Sequence, residues 1–359
     1  MIQTIRKAWG IPELRKKIVF TLLILLIFRL GNAIMVPYIN RDALALQMQV
    51  WGTGLLGLYN VMSGGAFATA TVFALSIQPY INSSIIIQLL TVAIPALERL
   101  ARDGGEEGKK KIQSITRYAT VAIAILQAIG YYFMMKNYNL LEQDGIWVAL
   151  VIIVTLIAGS SFVMWMGEQV TEFGIGNGIS IILFAGILSR VPTMVNTGAS
   201  FVRSEPTKWW MMLLVVVGML ALIVLITWVN GAERRIPVQY AKRQVGRKMF
   251  GGQNSHLPLR LNTAGGIPPI FASSLLLFPA TIGQFSTNEY VKRAAELFSP
   301  HGILYNIIYV ALMFFFCYFY TAIIFDPKDM SENLKKAGGF IPGIRPGEKT
   351  QEYIDTVLS

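Results

Sequence analysis

Eight apolar runs, each near the length of a bilayer crossing, decide what this chain can fold into. They span roughly Val19 to Val36, Phe73 to Ile94, Ala119 to Met135 and Ile146 to Met166. Four more follow: Ile179 to Leu188 extended at both ends, Trp209 to Val229, Ile267 to Phe285 and Ile303 to Ile324. A helix of ~20 mostly apolar residues crosses hydrocarbon because its backbone polar groups are bonded within the segment. Only 14% of residues are charged, which excludes a disordered chain and argues against an ordinary soluble domain. A β-barrel would read as alternating segments of ~10 residues, and none occurs. The expected fold class is an all-α polytopic membrane protein. Trp147, Trp165, Trp209, Trp210 and Trp228 fall at run ends, where an interfacial aromatic belt belongs.

Charge sets the orientation. Of 31 Lys and Arg residues, 23 lie on one side of the membrane, seven on the other, and Arg29 lies inside the first run. The positive-inside rule then puts both termini in the cytoplasm. The net charge of +11 is read first as topology, with basic loops available to an acidic partner. Residues 1–18 interleave Ile2, Ile5, Trp9, Ile11 and Leu14 with Arg6, Lys7, Arg15, Lys16 and Lys17, the pattern of an amphipathic helix on the cytoplasmic surface. Arg29 sits toward the outer half of its run and reads as snorkelling to the interface. No clear cleavage site follows the first run, so no removed leader is expected. Cys317, the lone cysteine, has no intrachain disulfide partner.

Signals for catalysis are missing. His256 and His301 both lie in loops, and no HExxH, CxxC or P-loop pattern occurs. Gly174-Ile-Gly176-Asn-Gly178 lacks a preceding strand and reads as a tight turn into the fifth run. The chain is expected to be no enzyme and to need no cofactor or metal. No Asp or Glu lies inside the eight runs, whereas ion-coupled transporters place ionisable residues at mid-membrane.

Two features depart from a plain bundle. Residues 55–71, LLGLYNVMSGGAFATAT, read as a half-length helix broken at Gly64 and Gly65, too short and too polar to span. Such a re-entrant segment needs protein or water around it, as a pore constriction, a discontinuous transporter helix or an external cap. The run after it carries Gln78, Asn82, Ser83, Ser84 and Gln88, which should face a cavity or a neighbouring helix. The second feature is a pair of long cytoplasmic loops, 231–266 and 325–359, dense in Lys and Arg. They signal topology, or they invite RNA or an acidic protein face.

The longest motifs resemble the SecY family. They are MSGGAFATATVFALSIQPYINSSIIIQLL (62–90), GEEGKKKIQSITRY (105–118) and WMGEQVTEFGIGNGISIILFAGI (165–187). AERRIPVQYAKRQVGRK (232–248), HLPLRLNTAGGIPPIFASSLLLFPATI (256–282) and FDPKDMSENLKKAGGFIPGIRPGEKT (325–350) follow in order. The resemblance covers essentially the whole chain. It implies a protein-conducting channel in a bacterial plasma membrane, passing unfolded secretory polypeptides across and releasing hydrophobic segments sideways into lipid. A docked SecA motor ATPase or a ribosome would drive it, with SecE as a clamp and SecG as an accessory. The family has ten transmembrane helices, and this chain carries eight, ending where the ninth would begin. The division expected is a first half, 19–196, and a partial second half, 197–359. The alternative from another class is a secondary transporter for small solutes.

The resemblance also implies residue roles. Ile77, Ile81, Leu183 and Ile270 would form an apolar pore ring, which dewets and blocks ions when idle. Ile77 and Ile81 share a helix face by spacing. Tyr59, Asn60, Met62, Ser63, Gly64, Gly65 and Ala66 would belong to a plug, whose small residues allow close seating without strong anchoring. Asn82, Gln88 and Ser274 would make polar contacts across a lateral gate. Arg234, Arg235, Lys242, Arg243, Arg247, Lys248 and Arg345 would meet the motor or the ribosome, Arg345 from a tip bounded by glycine and proline.

Overall fold

The structure is a computed structural model that describes residues 9–51, 55–102, 104–204, 207, 209–240, 243–245, 248–250, 255–260, 262, 265–266, 268–269, 271–273, 275–276, 302–324 and 327–358. The chain divides into two compact units, one of residues 1–199 and 274–306, the other of residues 200–273 and 307–359.

In the first unit, helices follow in the order α1 (Pro12–Gly31), α2 (Arg41–Trp51), α3 (Leu55–Met62), α4 (Gln78–Ala93), α5 (Pro95–Arg102), α6 (Gly105–Asn137), α7 (Ile146–Phe173), α8 (Gly178–Leu188) and α9 (Val191–Ser204). Helix α1 begins with Pro12 at its first position and Glu13 in its first turn, and carries Arg29 in its last turn, charges matched to the helix dipole. It runs unbroken from Pro12, so Arg15, Lys16 and Lys17 belong to the first apolar helix rather than to a separate surface helix. Residues 1–8 of that expected amphipathic segment lie outside the described residues. The buried side of α1 is a single stripe, Thr21, Ile24, Phe28 and Gly31, and it packs on α7. Leu22, Leu23, Leu26 and Leu30 face outward, as lipid contact requires.

The core of this unit gathers Leu44 of α2, Phe67, Met135 of α6, and Ile152 and Leu156 of α7. Helices α4 and α6 are joined by a buried hydroxyl pair, Ser83 Oγ and Thr120 Oγ1, 2.6 Å apart. The turn from α7 to α8 is tied to α1 where the Ile175 amide donates to Thr21 Oγ1 (3.2 Å). Asn177 caps α8 by accepting from the Ser180 amide (3.2 Å).

In the second unit α10 (Trp209–Gly231) leads into strand β1 (Glu233–Tyr240), then β2 (Arg243–Val245), β3 (Lys248–Phe250) and β4 (Ser255–Arg260). Helix α11 (Ile303–Ile324) precedes α12 (Pro327–Lys336), β5 (Gly339–Phe340) and α13 (Glu348–Leu358). Phe271 packs edge-on against Phe316 and Tyr320 of α11. The 23-residue apolar run of α10 buries no residue, so lipid or another chain must surround it.

The two basic loops are not separate loops. Strand β1 lies between antiparallel partners β4 and β5, with Ile236 opposite Leu257 and Gln239 opposite Phe340. Its inward residues Ile236 and Val238 meet Ile341 and Ile344 from the second loop, and Leu334 and Ile354 from α12 and α13. A sheet thus stands within a mostly helical chain.

Among the described residues, five helical stretches are long and apolar enough to cross a membrane: α6, α7, α8 with α9, α10 and α11. The pair α4 and α5, bent by 103° at their junction, is either a sixth, broken span or a re-entrant loop. The seventh run lies largely outside the described residues. One close approach governs the packing of α7: a Cβ on Gly159 would run into the Val72 carbonyl, a backbone atom that cannot swing away. Gly159→Ala is expected to cost ~1–3 kcal/mol by overpacking, read as a lower thermal midpoint in detergent. Gly218→Ala in α10, where nothing lies within 4 Å, should not lower it.

Candidate pore and plug

The segment between α3 and α4 is where the chain leaves regular structure inside the first unit. Helix α3 stops at Met62, shorter than the half-helix expected through Thr71. Gly64 (φ +68°) and Gly65 (φ +93°) turn left-handed, and Ala70 (φ +46°) and Ser76 (φ +50°) do so later. A right-handed helix cannot continue through such residues. The chain then runs in turns to Ile77.

These turns bond to themselves. The buried Asn60 side chain accepts from the Ala68 amide (3.0 Å), and its carbonyl accepts from the Gly65 amide (2.8 Å) and Ser63 Oγ (3.1 Å). Ser63 Oγ accepts in turn from the Phe67 amide (3.1 Å). The hydrogen bonding of this segment is therefore largely internal. Its ties to other elements are aromatic contacts together with a small set of hydrogen bonds. Tyr59 and Tyr131 of α6 both stack edge-on against Phe67, and Tyr131 Oη donates to the Phe67 carbonyl (3.2 Å). Tyr59 Oη donates to the Leu75 carbonyl (3.2 Å). After the turns, Val36 donates to the Ala70 carbonyl (2.9 Å) and Val72 to the Ile34 carbonyl (2.9 Å). Ala66 is buried with Phe67 beneath this network.

The glycine turn sits on the end of α8. A Cβ on Gly186 would lie 3.1 Å from the Met62 carbonyl, and one on Gly64 would lie 3.0 Å from Gly186 Cα. A side chain on either side would push the two elements apart by a few tenths of an ångström, and at Gly64 the left-handed φ disfavours one as well. Small residues at Gly64 and Gly65 do allow close seating, as the sequence indicates. The Asn60 and Ser63 bonds, which hold the segment together internally, are not legible in composition.

Ile77 and Ile81 open α4 one turn apart, and both are buried. Ile77 Cδ1 lies 3.3 Å from where a Cβ on Gly167 of α7 would stand. Ile179 Cγ1 and Ile182 Cδ1 of α8 crowd the same point at 3.2 and 3.6 Å. The structure therefore brings Ile77 together with α8. Leu183 is half-buried on that helix, and Ile270 lies outside the described residues. Ile179 was missed in the sequence, although it stands four residues before Leu183 just as Ile77 stands four before Ile81.

The polar residues of α4 separate. Gln88 is exposed and Ser274 lies outside the described residues. Among the described residues, Asn82 Oδ1 is buried with no hydrogen-bond partner, and so is Gln127 Oε1 of α6, the neighbouring helix. A buried unpaired oxygen costs ~1–3 kcal/mol, so each calls for a donor. Gln127 was overlooked; its signal is a single amide in the apolar stretch AIAILQAI. Nearby, Glu168 of α7 accepts from Arg117 Nε (2.8 Å) and Gln113 Nε2 (3.2 Å) of α6.

In the second unit, strand alternation splits the nominated arginines. Arg234 shares the parity of Ile236 and Val238, whereas Arg235 points to the opposite face; both are exposed. Arg235 stands opposite Pro258, and His256 and Arg260 of β4 share its face. Arg243 and Lys248 lie on β2 and β3, the hairpin between β1 and β4. Lys242 and Arg247 lie outside the described residues. Arg345 is exposed on a turn between Gly343 (φ +85°) and Gly347 (φ +104°), and its carbonyl accepts from Thr350 Oγ1 (2.9 Å). The backbone is fixed while the guanidinium stays in water.

Comparison with known proteins agrees in every part of the chain. The SecY family model matches residues 71–359. The protein translocase subunit SecY of Aquifex aeolicus is 42% identical over 365 residues, covering 100% of this chain and 85% of the relative. That of Pseudomonas aeruginosa is 45% identical over 357 residues, covering 98% and 80%. A SecY structure, described as one whose plug domain stabilises the closed channel and maintains a membrane seal, superposes with a TM-score of 0.65 at 18% identity, covering 98% and 85%. Sec61 from the canine ribosome–channel complex of the endoplasmic reticulum gives 0.59 at 16%, covering 99% and 86%. At such identities these structures speak for the fold alone. The chain belongs to the SecY family.

Proposed function

We propose that this chain is the central subunit of a protein-conducting channel. It passes unfolded secretory polypeptides across the bacterial plasma membrane and releases hydrophobic segments sideways into lipid. The observation that carries the reading is the self-bonded glycine turn seated on α8 beside the buried Ile77, in a chain of the SecY family. Residues 55–71 are the plug. Ile77, Ile81 and Leu183, with Ile270 of the second half, are the constriction. An apolar collar offers a passing peptide no hydrogen bonds, so varied sequences slide through it. Transfer of apolar segments through the gate is driven by the free energy that makes spanning helices.

The gate reading gains support from Asn82 and Gln127. Among the described residues their buried oxygens, on adjacent helices, have no partner, and the gate reading assigns Ser274 as a donor. The secondary-transporter alternative is not favoured: the part-buried Glu168 is already engaged by Arg117 and Gln113. The N-terminus and the sheet of β1, β4 and β5 are cytoplasmic, which the distribution of Lys and Arg supports. The sheet and the Arg345 tip dock SecA or a ribosome, and SecE and SecG complete the assembly. The chain itself performs no chemistry; the motor or ribosome supplies the work.

Photocrosslinking tests the pore. Probes at Ile81 and Leu183 should capture a stalled secretory chain in membranes, while a probe at Leu222, 57% exposed on α10, should not. Equal capture at all three positions, or none at Ile81 and Leu183, refutes the assignment. Docking is tested by charge reversal. Arg345→Glu should slow motor-driven translocation at least ~10-fold with assembly intact, as removal of an interface hot spot does. Lys349→Glu, on a lysine already paired with Glu352 at 2.8 Å, should have a much smaller effect.

A further inference from the structure

The seat of the plug has a charge beside it. Helix α8 is interrupted for two residues, Ser189 and Arg190, before α9 resumes. Two helix C-termini converge at this break, that of α3 at Met62 and that of α8 at Leu188. They lie close together: a Cβ on Gly186 would lie 3.1 Å from the Met62 oxygen. Each C-terminus carries about half a negative charge, so a cation is favoured beside it. Ser189 offsets little of that charge. Its hydroxyl has one proton, and Oγ lies 2.7 Å from the Gly186 carbonyl and 3.4 Å from the Gly64 carbonyl. The shorter bond keeps that proton on α8.

Arg190 is the remaining group. Its Nη1 lies 3.1 Å from the position a Cβ on Gly65 would take, and its Cδ 3.8 Å away, so the side chain lies along the glycine turn. No carboxylate pairs with it among the described residues. We propose that Arg190 is the latch of the plug, a positioning cation that offsets the two carbonyl-rich ends and keeps the Gly64-Gly65 turn on α8. The inference rests on reading residues 55–71 as the plug. It also gives Gly65 a second reason to be glycine: a side chain there would displace the guanidinium.

Resting ion flux through the full-length protein, reconstituted with its partner subunits in liposomes, tests this. Arg190→Ala and Arg190→Met should raise the flux about 5- to 30-fold, the range expected for a cation well placed at helix C-termini. Arg190→Lys should restore most of the seal. Arg203→Ala, an exposed cation on α9, should change nothing. Deletion of residues 59–69 supplies the unplugged reference, and size-exclusion of each variant counts assembled channels. A tight Arg190→Ala beside a leaking deletion overturns the latch and leaves the plug standing. A tight deletion overturns the plug reading itself. Arg190→Lys leaking as much as Arg190→Ala shows that packing, and not charge, holds the turn, and overturns the latch.

Discussion

Hydrocarbon offers no hydrogen bonds, and the rest of this structure depends on that fact. Every backbone amide and carbonyl at membrane depth must find its partner in the protein. Most of the chain complies by being helical. Residues 63–77 are not helical and comply by a different route, with Asn60, Ser63 and left-handed turns closing their own hydrogen bonds. A segment that satisfies itself can be moved as a unit. Moving it means giving up its contacts with Tyr131, Gly186 and the break in α8, and the backbone bonds to Ile34 and Val36. Self-sufficiency of the backbone and displaceability are here one property.

Reading the sequence located the helical runs well, because a run of ~20 apolar residues has few other fates. Their ends were less legible. Helix α6 extends to 33 residues and α7 to 28, since polar side chains at their ends are bonded to each other, as Glu168 is to Arg117 and Gln113. Composition cannot foresee such pairs. Likewise, the stop of α3 at Met62 follows from the glycines, but the capping of the turn by Asn60 depends on a contact eight residues away.

The sheet was the larger omission. Strand β1, ERRIPVQY, contains a proline and three charges and has only brief alternation. Its partners lie about 20 residues and 100 residues onward, and neither shows in local pattern. Once the strand is known, period two does what the motif could not. It sends Arg234 and Arg235 to opposite faces and turns Ile236 and Val238 toward the terminal helices. The proposed apolar collar had the opposite difficulty. Its residues look like any other core, and only the family motif distinguished Ile77 and Ile81 from lipid-facing neighbours.

One connection bears on how work enters the membrane. Helix α10 ends at Gly231 and β1 begins at Glu233, leaving a single residue as the joint. Strand β1 is also paired to β5, which leads through Ile341 and Ile344 to the Arg345 turn. Sheet and terminal helices share one packed core, so they form a stiff handle. A tug at Arg345 meets almost no slack before it reaches the foot of α10, and a torque on the handle becomes a torque on a membrane helix.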